Sequence, residues 1–372
     1  MRVTIERSNL LKSLNHVHRV VERRNTIPIL SNVLIRADGS ELHLKATDLD
    51  LEVFEKAPAM VEQAGATTVP AHMLYDIVRK LPEGSEVMLA NEADTNSLKI
   101  VAGRSRFTLQ MLPESDFPDI TAGDFSHTFR LPAKDLAGLI ERTQFAISTE
   151  ETRYYLNGIF LHAVEDGGKL YLRAVATDGH RLARAQIDAP KGSEGMPGVI
   201  IPRKAVGEIQ KLVEEPDASV TIELSETKIR ITVGPVILTS KLIDGTFPDY
   251  NRVIPTANDK ELTMDRASFA SAVDRVSTIS SERGRAVKMQ LGDGQVVLTV
   301  NNPDSGSATE EIPVGYEGAP LEIGFNSRYL LDITSQLSGE EAIFLLADPG
   351  SPTLIRDSSD ANAIYVLMPM RV

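Results

Sequence analysis

Apolar positions along the chain follow two periods, and the switches between them outline the elements. In VTIERSNLLKSL (residues 3–14) alternating apolar residues give way to a spacing of three and four, and TFRLPAKDLAGLI (128–140) and LTMDRASFASAV (262–273) repeat the change. Each predicts a short strand running into an amphipathic helix. TTVPAHMLYDIVRKL (67–81), VIIPRKAVGEIQKLV (199–213) and GFNSRYLLDITSQL (324–337) form a second set of strand-to-helix units. Elsewhere the period returns to two, as in KLYLRAV and SVTIELSETKIRITV, which predicts strands in groups. The expected helices span 8–24, 71–81, 133–145, 203–213, 266–278 and 327–337.

These units define an internal repeat. Ala46-Thr47-Asp48 recurs 130 residues later as Ala176-Thr177-Asp178, and Phe117-Pro118-Asp119 recurs at the same offset as Phe247-Pro248-Asp249. Three copies are predicted, at 1–125, 126–255 and 256–372, joined by FPDITAGD and FPDYNRVIPTAND. Each is far longer than a solenoid unit, so each is expected to be a domain with its own core. Helices do not alternate one-for-one with strands, so the fold class is α+β with antiparallel sheets and not a doubly wound α/β fold.

Helical projection adds a charge pattern. Leu10, Leu14, Val17 and Val21 fall on one stripe, with Lys12, His16, Arg19 and Arg23 nearly opposite. In the fourth helix Val206, Ile209 and Val213 share a face, with Lys204 and Lys211 roughly opposite. The six expected helices hold 14 Lys and Arg against 7 Asp and Glu, in a chain that has 39 against 52 and a net charge of −13. Any solvated helix face carries such residues. Repetition across three copies favours a shared cationic surface that attracts phosphates on an otherwise acidic protein.

Composition narrows the class. With 372 residues, 42% hydrophobic and 24% charged, the chain reads as a globular protein of two or three domains. The absence of cysteine excludes disulfides, thiolate metal sites and cysteine nucleophiles, and fits a reducing, cytoplasmic location. The start, MRVTIERSNLLKSL, lacks the apolar core of a signal peptide, and no apolar run reaches the roughly 18 residues of a membrane span.

Catalytic and cofactor motifs are missing. The histidines at 16, 18, 43, 72, 127, 162 and 180 form no H-E-x-x-H pair, and no phosphate loop, dinucleotide fingerprint or G-x-S-x-G elbow occurs. Asp48, Asp50 and Glu52 alternate as on a solvated strand face, a reading preferred to a magnesium site. No metal or cofactor is expected. ATDGHRLA (176–183) contains a turn at Asp178-Gly179, and the residues after it admit three readings: a partner-binding surface, a structural histidine, or a catalytic pair. The first copy reads Asp48-Leu49-Asp50 and the third Asn302-Pro303-Asp304, both without histidine, so the partner-binding surface is preferred and an enzyme is not expected.

PILSNVLI, RYYLNGIFL, VATDGHRLA, IPRKAV, SKLIDGTFPDY, GFNSRYLLD and the terminal VLMPMRV together resemble the bacterial DNA polymerase III beta subunit family of sliding clamps, from one end of the chain to the other. That resemblance implies three clamp domains per chain in a head-to-tail homodimeric ring around duplex DNA, sheets outside and helices lining the inner face. It implies a non-enzymatic processivity factor for DNA polymerase III, with no base readout. Partners would be the polymerase III alpha subunit, the clamp loader, and other polymerases and repair proteins, each bound through a short hydrophobic peptide motif. A monomeric three-domain scaffold that binds peptides without encircling DNA is the alternative.

The resemblance also implies sites. The peptide pocket would be walled by Arg153, Leu156, Thr177, Gly179, His180, Arg181, Leu182, Pro248, Val253, Val366, Met368, Pro369, Met370 and Arg371. Its Met, Val and Leu give an adaptable apolar floor, while His180 and Arg181 can orient a peptide. DNA phosphates would meet Lys12, Arg23, Arg24, Arg79, Arg203, Lys204 and Lys211. The chain departs from some relatives at His72-Met73, where they carry a basic pair, and at Glu150. For ring closure, Phe107 and Leu109 share a strand face beside Arg104 and Arg106, and would meet Ile279, Glu310 and Glu311 of a second copy's third domain.

Overall fold

The computed structural model describes residues 1–91, 95–120, 123–281 and 284–372, so Thr121 and Ala122 of the first joining stretch lie outside the described residues. Among the described residues six α-helices form: α1 (Arg7–Val17), α2 (Ala71–Lys80), α3 (Ala133–Glu141), α4 (Arg203–Leu212), α5 (Arg266–Ser277) and α6 (Ser327–Thr334). Strand and helix meet at a polar cap or a proline. Glu6, Asp265 and Asn326 accept hydrogen bonds from first-turn amides of α1, α5 and α6. Pro70 precedes α2, and Pro132 and Pro202 end the strands leading into α3 and α4.

Contacts divide the chain into two compact units, each described here by itself. The first comprises residues 1–137, 190–196 and 204–242. Its five-stranded sheet has the order Met60–Gln63, Arg2–Glu6, Glu86–Asn91, Ser97–Ala102, Ser105–Gln110. Its eight-stranded sheet runs His127–Pro132, Ser219–Leu224, Lys228–Val233, Val236–Lys241, Leu51–Pro58, Glu41–Thr47, Asn32–Asp38, Gly65–Pro70. The second unit comprises residues 138–189, 197–203 and 243–372. Its eight-stranded sheet runs Val199–Pro202, Gly158–Asp166, Lys169–Thr177, Arg181–Asp188, Ala363–Leu367, Thr353–Asp357, Glu341–Leu346, Lys260–Asp265. A four-stranded sheet, Gly306–Pro313, Gln295–Asn302, Ala286–Gly292, Leu321–Asn326, completes it.

Both eight-stranded sheets are joined antiparallel across a repeat boundary, by Val236–Lys241 on Leu51–Pro58 and by Arg181–Asp188 on Ala363–Leu367. The strands of repeat 126–255 are therefore shared between the two units, and the sheets continue across the repeat boundaries. Edge strands of neighbouring repeats satisfy their free backbone groups by pairing, which extends each hydrophobic layer past the sequence boundary.

The helix cores follow the predicted stripes. Leu10, Leu14, Val17 and Val21 are buried, as are Val206, Ile209 and Val213. Fully burying such a side chain contributes about 1.5–3 kcal/mol. The first helix is shorter than expected. It ends at Val17, continues as a 3-10 turn over His18–Val20, and becomes extended at Val21. The β-branched pair Val20-Val21 is buried, and the Val21 carbonyl accepts from His72 Nε2 at 2.8 Å instead of from the helix. Arg23 therefore lies beyond the helix, and His16 lies 2.7 Å from the buried Glu55 carboxylate, so neither belongs to a free basic stripe on α1.

Asp48, Asp50 and Glu52 do not form a solvated strand face either. Asp48 and Asp50 occupy a turn, and only Glu52 is in the strand, where it is buried with Lys45 Nζ at 3.5 Å. Burial raises the Glu52 pKa against the opposing pull of Lys45.

Candidate functional site

Within the second unit a cavity of about 360 Å³ opens beside the Asp178 turn. The turn is built by its own side chains. Thr177 Oγ1 accepts from Gly179 N at 3.1 Å and donates to Arg181 O at 2.7 Å, while Asp178 Oδ1 accepts from His180 N at 2.9 Å and Arg181 N at 3.0 Å. Gly179 has φ +89°, and a Cβ there would come 2.6 Å from Arg153 Nη1. Glycine thus supplies the left-handed turn and leaves room for the arginine head.

The first copy forms the same turn. Asp48 Oδ1 accepts from Asp50 N and Leu51 N at 3.0 and 2.7 Å, and Leu49, at φ 81°, takes the place of the glycine. The ATD motif is therefore a turn-building unit in both copies, and the second copy adds a cavity to it.

The floor is apolar and belongs to the sheet. Leu182 pairs with Val366 across adjacent strands, and both join a buried cluster with Leu156, Val175, Phe247, Tyr250, Leu354 and Ile364. Pro248 and Val253 form a wall from the chain around the 3-10 segment Tyr250–Val253, while Arg153 and Leu156 come from the 3-10 segment Glu151–Leu156. Val253 is 49% exposed and Met368 39%, so the rim presents apolar surface to solvent.

Arg181 differs from its expected role. Its Nε meets Asp178 at 3.2 Å, Nη1 meets Asp332 at 2.5 Å and Nη2 meets the Phe145 carbonyl at 2.7 Å. Its guanidinium also lies 4.2 Å over the Tyr329 ring. A group engaged on this many sides frames the site instead of reaching for a peptide. His180 is exposed beside Tyr329, and its carbonyl accepts from Met368 N at 2.9 Å, tying the turn to the C-terminal rim.

The cavity gathers the expected residues except Pro369, Met370 and Arg371. Met370 N instead donates to Gly324 O at 2.7 Å, so the chain beyond Met368 follows the four-stranded sheet. Tyr155, Asp249 and Tyr250 also line the cavity and were not anticipated. They adjoin Arg153, Leu156 and Pro248 in RYYLNG and FPDY, the stretches that supply part of the expected wall. The Tyr250 hydroxyl accepts from Arg173 Nη1 at 3.1 Å and lies 2.9 Å from His162 Nε2. Burial lowers the His162 pKa to about 4, helped by the charge of Arg173, so this support is neutral at pH 7.

The expected DNA contacts are unequal. Lys12, Arg23, Arg24 and Arg203 are exposed and enter none of the ion pairs among the described residues. Arg79 is paired with Asp76 at 3.2 Å and Lys211 with Glu208 at 2.7 Å. Lys204 departs furthest from expectation: its ammonium lies 2.6 Å from Asp48, contacts Glu22, and donates to Val20 O at 3.2 Å. Burial opposes its charge, but the bonds to Asp48 and Glu22 outweigh that and raise its pKa. It is a neutralised strut inside the first unit.

The strands expected at ring closure are both sheet edges. Ser105–Gln110 ends the five-stranded sheet and Gly306–Pro313 ends the four-stranded one. Arg104, Arg106 and Phe107 are exposed, as is Glu311, and Ile279 is half-buried. Two of these residues are already engaged within the chain. Leu109 is buried within its own unit, and Glu310 is already bound by Arg275, whose Nε and Nη2 lie 3.0 and 2.5 Å away. No helix among the described residues is long and apolar enough to cross a membrane, and no group of three or more His, Cys, Asp or Glu among them could hold a metal ion.

Repeated α+β domains with antiparallel sheets, and a hydrophobic peptide-sized cavity at a repeat junction, define the DNA-clamp class. Residues 1–121, 130–249 and 251–371 match the N-terminal, central and C-terminal domains of the DNA polymerase III beta subunit. The beta sliding clamp of Caulobacter vibrioides is 53% identical over 372 residues, covering all of both chains, and that of Escherichia coli K12 is 40% identical over 376, again covering both completely. A crystal structure of the sliding clamp of Bartonella birtlesii bound to griselimycin is 61% identical, superposes with a TM-score of 0.97, and covers all of both chains. The chain belongs to the DNA polymerase III beta subunit family, and its function is that of a DNA sliding clamp.

Proposed function

We propose that two copies of this chain close head to tail into a ring around duplex DNA and tether DNA polymerase III and other replication and repair enzymes. Partners insert short hydrophobic motifs into the cavity at the Asp178 turn. The chain performs no chemistry in this reading; it raises processivity by staying on DNA. The cavity carries the proposal: a preformed apolar site with exposed Met368 and Val253 at its rim, held by the Arg181 bonds, suits an anchoring side chain at low ordering cost. Each third of the chain is one clamp domain, divided near 125 and 255. The Ser105–Gln110 edge of one copy pairs with the Gly306–Pro313 edge of the next, with Arg104 and Arg106 facing Glu311. Lys12, Arg23, Arg24 and Arg203 face the duplex and meet phosphates without reading sequence.

The test is retention on DNA. The protein is loaded on circular plasmid by its clamp loader and ATP, the plasmid is linearised, and the bound fraction is followed at raised salt. Persistence on circles with loss from linear ends is the expected result. Equal loss from both would favour a monomeric peptide-binding scaffold.

A further inference from the structure

A second cavity, of about 550 Å³, lies against the same eight-stranded sheet of the second unit. Antiparallel register sets Arg184 opposite Ile364, Ile364 opposite Arg356, and Arg356 opposite Ile343. Residues directly opposite share a sheet face, so two arginines and two isoleucines form one row. The next row on that face runs Leu182, Val366, Leu354, Leu345. Its first two residues floor the peptide cavity and its last two line this one, so the two sites share one apolar layer.

The arginines here have no ion-pair partner within hydrogen-bond reach among the described residues. Arg184 Nε is buried and has no hydrogen-bond partner. Burial lowers the Arg184 pKa, and repulsion from Arg173 and, more weakly, Arg356 adds to it against a partial pull from Tyr250 and Asp166. Arg356 is exposed and enters none of the ion pairs among the described residues. The acid lining the cavity, Asp357, is already used: its carboxylate accepts from the amides of Ser338, Gly339 and Ser359 at 2.6, 3.0 and 2.8 Å. Asn258 likewise spends its amide donors on the carbonyls of Leu345 and Pro352. A desolvated guanidinium with an open donor, a second one on the rim and aliphatic walls together call for an anion on an aliphatic body.

We propose that this cavity binds an acidic, aliphatic peptide segment of a partner protein, with a carboxylate between Arg184 and Arg356 and an aliphatic side chain against Ile343 and Ile364. The site is separate from the one at the Asp178 turn and does not depend on that reading.

The test uses the full chain with labelled Ile, Leu, Val and Met methyls, titrated with acetyl-Leu-Glu-Leu-amide and its glutamine analogue. Saturable shifts at Ile343 and Ile364 are expected, with the glutamine peptide weaker by about tenfold or more. Arg356→Gln, at an exposed position, is expected to weaken the glutamate peptide by a similar factor; Arg184→Gln should do the same. Equal binding of both peptides, unchanged affinity in Arg356→Gln, shifts confined to Val253 and Met368, or no saturable shift would each overturn the proposal. Hexanoate binding as tightly as the peptide would overturn the peptide as occupant.

Discussion

Arg181 donates from Nη1 to the carboxylate of Asp332 at 2.5 Å, which links the ATDGHRLA turn to α6 of the third repeat. The arginine is 10% exposed and the aspartate 31%. A charge-assisted bond in that setting is stronger than a surface ion pair. Replacing Arg181 by Gln is expected to cost about 2 kcal/mol. Differential scanning calorimetry should show Tm lower by roughly 4–8 °C. A fluorescent hydrophobic peptide should bind at least about tenfold more weakly, because the turn that walls the cavity loses its brace. Unchanged peptide affinity with lowered Tm would confine Arg181 to a structural role.

Lys204 and Arg203 are neighbours with opposite expectations. Lys204 is engaged by Asp48 and Glu22, whereas Arg203 is exposed and enters none of the ion pairs among the described residues. Arg203→Ala is expected to reduce the slope of log affinity for duplex DNA against log salt by about 0.9, the value of one phosphate contact. Lys204→Ala should leave that slope unchanged while lowering Tm. A reduced slope in Lys204→Ala would show that DNA displaces the carboxylates.

Leu49 is the sole non-glycine residue with positive φ among the described residues, at 81°. Its counterpart in the second copy, Gly179, has φ +89° without a Cβ. A non-glycine residue there costs about 1–2 kcal/mol. Leu49 is only half-buried, so Leu49→Gly is expected to stabilise the chain by about 1 kcal/mol, read as a higher urea midpoint at unchanged m-value.

His162 supplies a pH dependence. Its folded pKa of about 4 lies below the ordinary 6.5, so between these values the unfolded chain binds more protons and stability rises with pH. The contribution is fully present above about pH 6.5 and is lost as pH falls towards 4. Of the order of 1–3 kcal/mol should disappear across that window. Tm measured from pH 7 to 4 should fall less steeply in His162→Gln than in the unsubstituted protein. Parallel curves would assign the acid sensitivity elsewhere.

The sequence alone carried what is local or periodic. The three-fold repeat, five of the six helices to within a few residues and the α+β class were legible because apolar period and turn chemistry act between near neighbours, whereas most of the cavity wall was legible only through the family resemblance. The family was legible for a different reason: its motifs are long and span the chain.

Tertiary structure decided what depends on distant partners. Lys204 reads as a free cation until Asp48, 156 positions away, is brought to 2.6 Å. Arg181 reads as a ligand group until Asp332 claims it. The Val21 carbonyl, beyond the end of α1, is taken by His72, and the two arginines of the second cavity come to flank Ile364 only through strand register. Charge and hydrogen bonding act over a few ångströms of space regardless of separation along the chain, so a residue's type fixes what it can do and the fold settles which of those possibilities remains open.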